Sequence, residues 1–427
     1  VVLTSRRLFA TLFAVLCLIG SAGFTAVAQP GTPCPNKTTP PPPVDTSEKP
    51  KPGEQSPGPV PVPDKPVGGA RMGECGVIAP QSATAPPADV TSASWLLADL
   101  DSGNVIGAKD PHARHRPASL IKVLLAIVVM KDLKMDTVVT GTSEDANQDG
   151  TRVGMGAGGQ YTVQQLFQAL LMHSGNDAAH ALAVQLGSVD KAVQKMNDTA
   201  HALGAMDTHT ATPSGLDGPG MMTSAYDMAL FYREAMKHPE FATAITTKQI
   251  DWPGYGNKPG FKVNNDNRLL GKYDGFLGGK TGFTDDARHT YLGGAEQNGR
   301  RLVVVLMRGE QAPVKMADQG GKLLTWGFGL PKVQPVGTLN TPKPAAATDD
   351  NPDPAASVST GGTSTAAPVK PISNQGGILP TAAMSIAAVT ILGFLIWRIR
   401  LRYARRTASV PPETDPEKTM RIDPIRD

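Results

Sequence analysis

Three cysteines in 427 residues, none in a Cys-x-x-Cys or other metal-ligand spacing, exclude a thiolate zinc site, an iron–sulfur cluster and a dithiol redox centre. A formal net charge of only +3, much of it from arginines near the end, excludes the concentrated basic face of a nucleic-acid binder. Other motif fragments stop short of a site. The stretch EDANQDGTRVGMG places Asp145, Asn147, Asp149 and Gly150 as a calcium loop would, but the twelfth position, where the bidentate acid belongs, is Gly156. His112 and His115 in PHARHRP lack a third ligand nearby. The glycine-rich run from Gly154 to Gln160 has neither the strand-loop-helix setting nor the Lys-Ser/Thr ending of a phosphate loop, and suits a loop that passes close to the rim of a site. The residues therefore imply neither a metal nor an organic cofactor.

What is present includes two apolar runs outside the main body. Arg6 and Arg7 precede an apolar run from Leu8 to Ile19 and the small-residue site Ala26-Val27-Ala28, the layout of a cleavable export signal over residues 1–28. SRRLF also fits the start of a twin-arginine signal, although the strongly apolar core behind it favours ordinary secretion. The second run, Ile378 to Trp397, has the ~20 residues that a helix needs to cross a bilayer. Arg398, Arg400, Arg402, Arg405 and Arg406 follow it and would hold residues 398–427 in the cytoplasm. The expectation is a single-pass protein of the cell membrane whose middle faces outward and whose polar cytoplasmic tail is disordered. Cys17 lies in the signal. Cys34 and Cys75 both flank a proline-rich stretch, so a bond between them would close a loop in an arm and carry no chemistry.

Residues 29–89 are dominated by proline and read as an extended, disordered arm with no means of burying a core. A second linker, rich in Ala, Pro and Thr, occupies 337–377. Between them, Val90 to Val336 is long enough for one large core in a two-lobed unit. TSASWLLADLDSGNVIGAKD alternates and turns at Asp101 to Asn104, which predicts a hairpin. Helices are predicted at TVQQLFQALLMHS, NDAAHALAVQLG, DKAVQKMNDTAHALG and, after the caps Thr223 and Ser224, AYDMALFYREAMKHP. Strand signals return in TYLGGAEQNGRRLVVVLMRG, where Asn298-Gly299 is a strong turn dipeptide, and GGKLLTWGFG closes with a helix. Strands at both ends with helices between predict an α+β architecture, its antiparallel sheet assembled from both ends of the domain and flanked by helices, with a helical insert.

One stretch poses a chemical question. RPASLIKVLLAIVVM, residues 116–130, is apolar enough to be a buried helix, yet it contains Lys122 three residues after Ser119. On a helix the two project side by side. Among Leu120, Ile121, Val123, Leu124 and Leu125 the ammonium loses hydration, which lowers its pKa towards neutrality. A neutral amine beside a hydroxyl can take its proton and make the serine a nucleophile without a histidine. Pro117 suits a helix start and places the Ser119 N–H among the unpaired donors of a first turn, where an oxyanion could be held. Two further stretches give this pair a context. HSGND puts Ser174 and Asn176 in a loop between two helices. LGGKTGFTD puts Lys280 and Thr281, suited to a carboxylate, beside Gly282, which has no side chain to block a substrate lying against the strand edge. Taken alone, the first is more simply a snorkelling lysine, the second a helix cap, and the third fits a turn. His173, next to Ser174, is redundant as a base beside Lys122.

Together, Ser-x-x-Lys, Ser-x-Asn and Lys-Thr-Gly in that order resemble the motif set of penicillin-binding proteins and serine β-lactamases. TPSGLD at Thr212 to Asp217, TSAYDMA at Thr223 to Ala229, NNDNRLL before the Lys-Thr-Gly and KLLTWGF at Lys322 to Phe328 extend the similarity to the low-molecular-mass penicillin-binding proteins that act as D-alanyl-D-alanine carboxypeptidases. The resemblance covers Val90 to about Val336. It implies a serine β-lactamase/transpeptidase-like fold, peptidoglycan stem peptides ending in D-Ala-D-Ala as substrate, and β-lactams as inhibitors. It also implies Ser119 as acyl nucleophile, Lys122 as its base, and Ser174 as the relay of a proton to the leaving D-alanine. Asn176 would position Ser174 and the substrate amide, Lys280 and Thr281 would hold the terminal carboxylate beside Gly282, and the backbone N–H groups of Ser119 and Phe283 would form the oxyanion hole. Phe283 stands where family members often carry histidine, which bears on substrate preference but leaves the backbone donor in place. The middle motif is Ser-Gly-Asn rather than Ser-Asp-Asn, and NDAAHALAVQLGSVDKAVQKMN offers no glutamate for deacylation by water. A long-lived penicilloyl adduct is therefore expected, not fast penicillin hydrolysis. The rivals are a peptidoglycan endopeptidase or transpeptidase, or a β-lactamase, of the same fold and, from a different class, a non-catalytic wall-binding protein.

Overall fold

The computed structural model describes residues 37–331 and 334–339. Strand β1 (Val77–Ile78) precedes the predicted hairpin, whose strands are β2 (Ser94–Asp99) and β3 (Asn104–Lys109), with Gly103 at a φ of 76° in the turn. A 3-10 turn (Ala118–Ile121) then runs into α1 (Lys122–Asp132). The insert continues with β4 (Val138–Thr140), α2 (Ser143–Ala146), β5 (Gln160–Thr162), α3 (Val163–Met172), α4 (Asn176–Gln185) and α5 (Val189–Ala202). Next come α6 (Ala225–Ala235), α7 (Pro239–Thr246) and the hairpin of β6 (Gln249–Trp252) and β7 (Phe261–Asn264). The chain returns to the sheet with β8 (Phe276–Thr284), β9 (Arg288–Gln297) and β10 (Arg300–Gly309), followed by α8 (Met316–Gly329) and β11 (Gly337–Thr338).

The main sheet runs β1-β3-β2-β10-β9-β8, antiparallel throughout, with β11 also on β3. Its two halves meet where β2 pairs β10, from Leu302 opposite Asp99 to Met307 opposite Ser94, so both ends of the domain build one sheet as predicted. Side chains alternate between two cores. Leu302, Val304 and Leu306 point to the layer covered by α8, whereas Val303, Val305 and Met307 join the larger core of the helical insert. Every residue of α1 from Lys122 to Val129 is buried, the mark of a helix enclosed on all sides. Among the described residues β8 stands at an edge of the sheet.

The proline-rich stretch departs from expectation. Residues 38–69 form neither helix nor strand, as the proline content dictates, but within 37–89 the chain is held against the domain and is not a free arm. Arg114 donates to the carbonyls of Thr38 at 3.1 Å, Val60, and Pro61 at 2.9 Å, and Trp326 donates to Thr84 at 3.0 Å. A proline-rich segment has few N–H groups and no core of its own, yet its carbonyls stay available to donors elsewhere. Two strands, β1 and β11, fall outside the expected 90–336; at two residues each they are too short to show a period. Cys75 is disulfide-bonded, while Cys34, the partner considered for it, lies outside the described residues. So do the export signal, the linker from residue 340, the apolar run from Ile378 to Trp397 and the tail. Among the described residues no helix is long and apolar enough to cross a membrane.

Candidate active site

The turn that carries Ser119 is built under local compulsion. Ala118 takes a φ of 48°, a left-handed conformation that costs energy for a residue with a Cβ, and the chain then closes as a 3-10 turn, not the predicted first turn of an α-helix. At three residues per turn, positions i and i+3 eclipse, so Ser119 and Lys122 are aligned more closely than α-helical geometry allows. Two glycines permit the packing around them. A Cβ on Gly215, whose φ is 90°, would fall 2.0 Å from the Ala118 carbonyl oxygen; one on Gly282 would fall 2.4 Å from Thr290 Oγ1 and 3.0 Å from the Ser119 nitrogen. Thr290 Oγ1 in turn donates to the Pro117 carbonyl at 3.0 Å and ties the turn to the sheet.

Lys122 is fully buried, and its Nζ lies 2.9 Å from Ser119 Oγ, 2.7 Å from Asn176 Oδ1 and 2.5 Å from the Ser214 carbonyl oxygen. Burial pushes its pKa well below the usual 10.5, and the Lys280 ammonium adds to the shift against the opposing charges of Asp177 and Asp266. Its three hydrogen-bond partners are all uncharged oxygens, so nothing bonded to Nζ offsets the cost of burying a charge, and in the neutral form one of the three contacts, that to the Ser119 hydroxyl, can reverse with the amine accepting. The Asn176 amide is oriented by its other end, since Nδ2 donates to the Asp149 carbonyl at 2.6 Å. The buried Asp177 carboxylate accepts from the N–H groups of Val153, Gly154 and Met155 at 2.8–3.0 Å, which wraps the glycine-rich loop around the start of α4. Ser174 stands between α3 and α4 with a φ of 66°.

The opposite wall is β8. Lys280 is buried and donates to the Thr281 carbonyl at 2.9 Å; desolvation lowers its pKa while Asp266 opposes the shift. Thr281 Oγ1 donates to Asp266 Oδ2 at 3.1 Å. Between the walls lies a cleft of about 600 Å³, lined among others by Ser119, Ser174, Thr281, Gly282 and Phe283. Lys122, Asn176 and Lys280 stand behind its surface. Ser119, Lys122, Ser174, Asn176, Lys280, Thr281, Gly282 and Phe283 thus lie on or just behind one cleft. The structure also adds Arg268 and Lys315, two cations on the cleft wall that the sequence reading missed. Lone basic residues in loops carry no spacing signal, although Arg268 does fall inside the NNDNRLL stretch. His173 faces away, with Nδ1 3.2 Å from the Asn264 carbonyl oxygen. Elsewhere, His112, Asp207 and Asp227 bring ligand atoms within 4.8 Å of one another. His112 Nδ1 at 2.7 Å and Arg114 Nε at 3.3 Å already occupy the two Asp207 oxygens.

Comparison with known proteins finds relatives in sequence and in structure. The family described as Peptidase S11, D-alanyl-D-alanine carboxypeptidase, matches residues 80–311. The D-alanyl-D-alanine carboxypeptidase DacB2 of Mycobacterium tuberculosis is 43% identical over 259 residues, which cover 60% of this chain and 88% of that protein. DacF of Bacillus subtilis, a D-alanyl-D-alanine carboxypeptidase, is 31% identical over 57% of this chain, which spans 64% of its length. Among solved structures, a D-alanyl-D-alanine carboxypeptidase from M. tuberculosis matches with a TM-score of 0.59 at 40% identity, over 61% of this chain and 99% of that one. The Streptomyces K15 DD-transpeptidase matches with a TM-score of 0.55 at 25% identity, over 58% and 100%.

Proposed function

The chain belongs to the D-alanyl-D-alanine carboxypeptidase family and is a serine-type peptidase, and on that premise we propose that Ser119 removes the terminal D-alanine from peptidoglycan stem peptides through an acyl-enzyme. The substrate would lie along the edge of β8, its terminal carboxylate beside Thr281 and near the cations of Lys280 and Lys315, Arg268 being paired with Asp318 at 3.3 Å. Ser119 Oγ attacks the carbonyl of the penultimate D-alanine while its proton passes to Lys122 Nζ. The N–H groups of Ser119 and Phe283 hold the oxyanion. The proton then reaches the departing amine by way of Ser174, and water releases the shortened peptide. β-Lactams, which present a strained amide to the same serine, would leave a slowly hydrolysed adduct.

The observation that carries this reading is the fully buried Lys122, whose Nζ stands 2.9 Å from Ser119 Oγ with no carboxylate among its hydrogen-bond partners. The test is to incubate the protein with a peptide ending in D-Ala-D-Ala, assay free D-alanine, and repeat with Ser119→Ala and after penicillin. Release that both treatments abolish, with the penicilloyl mass located on Ser119, supports the reading; cleavage of existing cross-links without free D-alanine would replace it with an endopeptidase, and D-alanine release matched by new cross-links, with an amine rather than water taking the acyl group, with a transpeptidase.

The catalytic domain is placed, in the same proposal, on the outer face of the cell membrane, exported by residues 1–28 and anchored by residues 378–397. The arginines after Trp397 support that orientation. Protease added to intact cells should remove the catalytic domain and spare the tail; a protected domain would refute the placement.

A further inference from the structure

The proline-rich arm meets the nucleophile turn at one side chain, Arg116, three residues before Ser119. That side chain is 2% exposed. A guanidinium does not shed its charge, so its partners decide whether such burial is tolerable. Two of them belong to the arm: Nη1 donates to the Pro41 carbonyl at 2.5 Å, and Nε to the Glu48 carboxylate. A third, Asp286, is buried in the turn between β8 and β9, with Oδ2 4.0 Å from Arg116 Nε. The arm reaches Asp286 too, through the backbone N–H of Val44. Arg308, near the end of β10, fixes that turn from behind by donating to the Asp286 carbonyl at 2.6 Å.

Arg116 and Asp286 therefore stand at the roots of the two segments that face each other across the oxyanion. One carries the Ser119 N–H, and the other is the end of β8 that carries Phe283. The segments approach so closely that a Cβ on Gly282 would lie 3.0 Å from the Ser119 nitrogen. Thr290 braces one side of the turn through Pro117, and the arm braces the other through Arg116.

We propose that Arg116 is a positioning residue, hydrogen-bonded to Glu48 and the Pro41 carbonyl and paired at longer range with Asp286, that sets the spacing of the two oxyanion donors, and that residues 41–48 of the arm are a working part of the active site. The proposal rests on the reading of Ser119 as nucleophile. A displaced donor weakens the transition state more than the bound substrate, so kcat is the parameter that falls.

The test uses the full chain and a peptide ending in D-Ala-D-Ala, with kcat, KM and Tm measured for wild type, Glu48→Gln, Arg116→Lys, Arg116→Gln and the double variant Glu48→Gln/Arg116→Gln. Removing an oxyanion donor outright costs on the order of 100- to 1,000-fold in kcat, so a displaced one is expected to cost about tenfold in Arg116→Gln and about threefold in Glu48→Gln, with KM within about twofold. The double variant should be no slower than Arg116→Gln, because Glu48 acts through Arg116. Arg116→Lys keeps the charge without the planar donor set and should recover part of the loss. Lys37→Ala serves as the control: its ammonium holds the arm to the carbonyls of Gly73 and Glu74, away from the turn, so it should lower Tm and spare kcat. Wild-type kcat in Glu48→Gln, losses that multiply in the double variant, or a Lys37→Ala variant as slow as Glu48→Gln would each overturn the proposal. If Arg116→Gln does not fold, the contrast between Glu48→Gln and Lys37→Ala decides alone. D-Alanine release by wild type and its loss in Ser119→Ala keep the catalytic reading standing whichever way Arg116 falls; no release by wild type sinks that reading, and this proposal with it.

Discussion

The cleft has two walls, and each buries a lysine. On the wall of the 3-10 turn, Lys122 has three oxygens within 2.5–2.9 Å, none of them charged. On the wall of β8, Lys280 donates to one carbonyl at 2.9 Å and has the Asp266 carboxylate as a compensating charge. Burial lowers both pKa values, but Lys122 is pushed well below its usual range because the charge of Lys280 adds to its desolvation. Burial alone therefore does not assign a role to a lysine. Asp266 acts on both lysines, and Asp177 on Lys122 as well, so what separates them is that Lys122 also bears the neighbouring Lys280 charge and has a serine hydroxyl 2.9 Å from its Nζ.

The comparison breaks most sharply at Lys122. Lys122→Ala removes the proposed base and strands the Asn176 and Ser214 oxygens, and should lower kcat/KM for D-alanine release on the order of 10³-fold. Lys122→Arg should be nearly as inactive, since a guanidinium stays charged at any working pH; substantial activity in that variant would show that a cation suffices there. Gly215→Ala disturbs the same wall without touching a reacting group. Its Cβ must push the Ala118 carbonyl aside and Ser119 with it, and a displacement of that kind costs about 100-fold in kcat; a folded variant with normal kcat would mean that the turn yields freely.

Lys280→Ala probes the other wall and the coupling between the two. Losing a charge-assisted contact to the substrate carboxylate should lower kcat/KM by roughly 10- to 100-fold. Because the Lys280 charge depresses the Lys122 pKa, its removal should also move the acid limb of kcat/KM to higher pH. An unmoved limb would show that the two lysines titrate independently.

The smallest effect belongs to Asp217, beside β8 and the arm. Burial pushes its carboxyl up to about 6, with Asp286 and Glu48 adding to the shift and the Thr284 hydrogen bond and Arg116 opposing it. A folded pKa above the unfolded one means that the native state holds the extra proton, so stability falls as pH rises from about 4 to about 6 and stays lower above that. Asp217→Asn, which cannot ionise, should gain on the order of 1 kcal/mol at pH 7 once the group's partial exposure is allowed for, and nothing at pH 4. Thermal unfolding at the two pH values checks this, with an expected rise of about 2–4 °C at pH 7 only.

Local signals in the sequence carried much of the architecture. Asn298 and Gly299 do take the positive φ angles, 52° and 72°, that their dipeptide announces, and Ser224 does cap its helix, accepting from the Asp227 N–H. The site motifs were legible because each contains several chemically unusual residues at fixed spacing. The docking of the arm was not, because the contacts run from proline-rich backbone carbonyls to an arginine 75 residues away, and carbonyls have no signature in a sequence. The start of α1 was misjudged by one turn, since 3-10 and α segments share their apolar residues, and only the strained φ of Ala118 and the packing of Gly215 select the tighter form. Helix α7 and the β6–β7 hairpin also escaped, being short and flanked by polar loops.

The most direct test of the central claim, that Lys122 is a neutral base for Ser119, is the rate of Ser119 acylation by a penicillin measured across pH in the intact protein. The account predicts that the rate reaches its plateau far below the ordinary lysine pKa of 10.5, and that Lys122→Ala abolishes that limb. A rate that keeps climbing to the ordinary lysine range would contradict it, because Lys122 would then be a charged residue at neutral pH and some other group would have to take the serine proton.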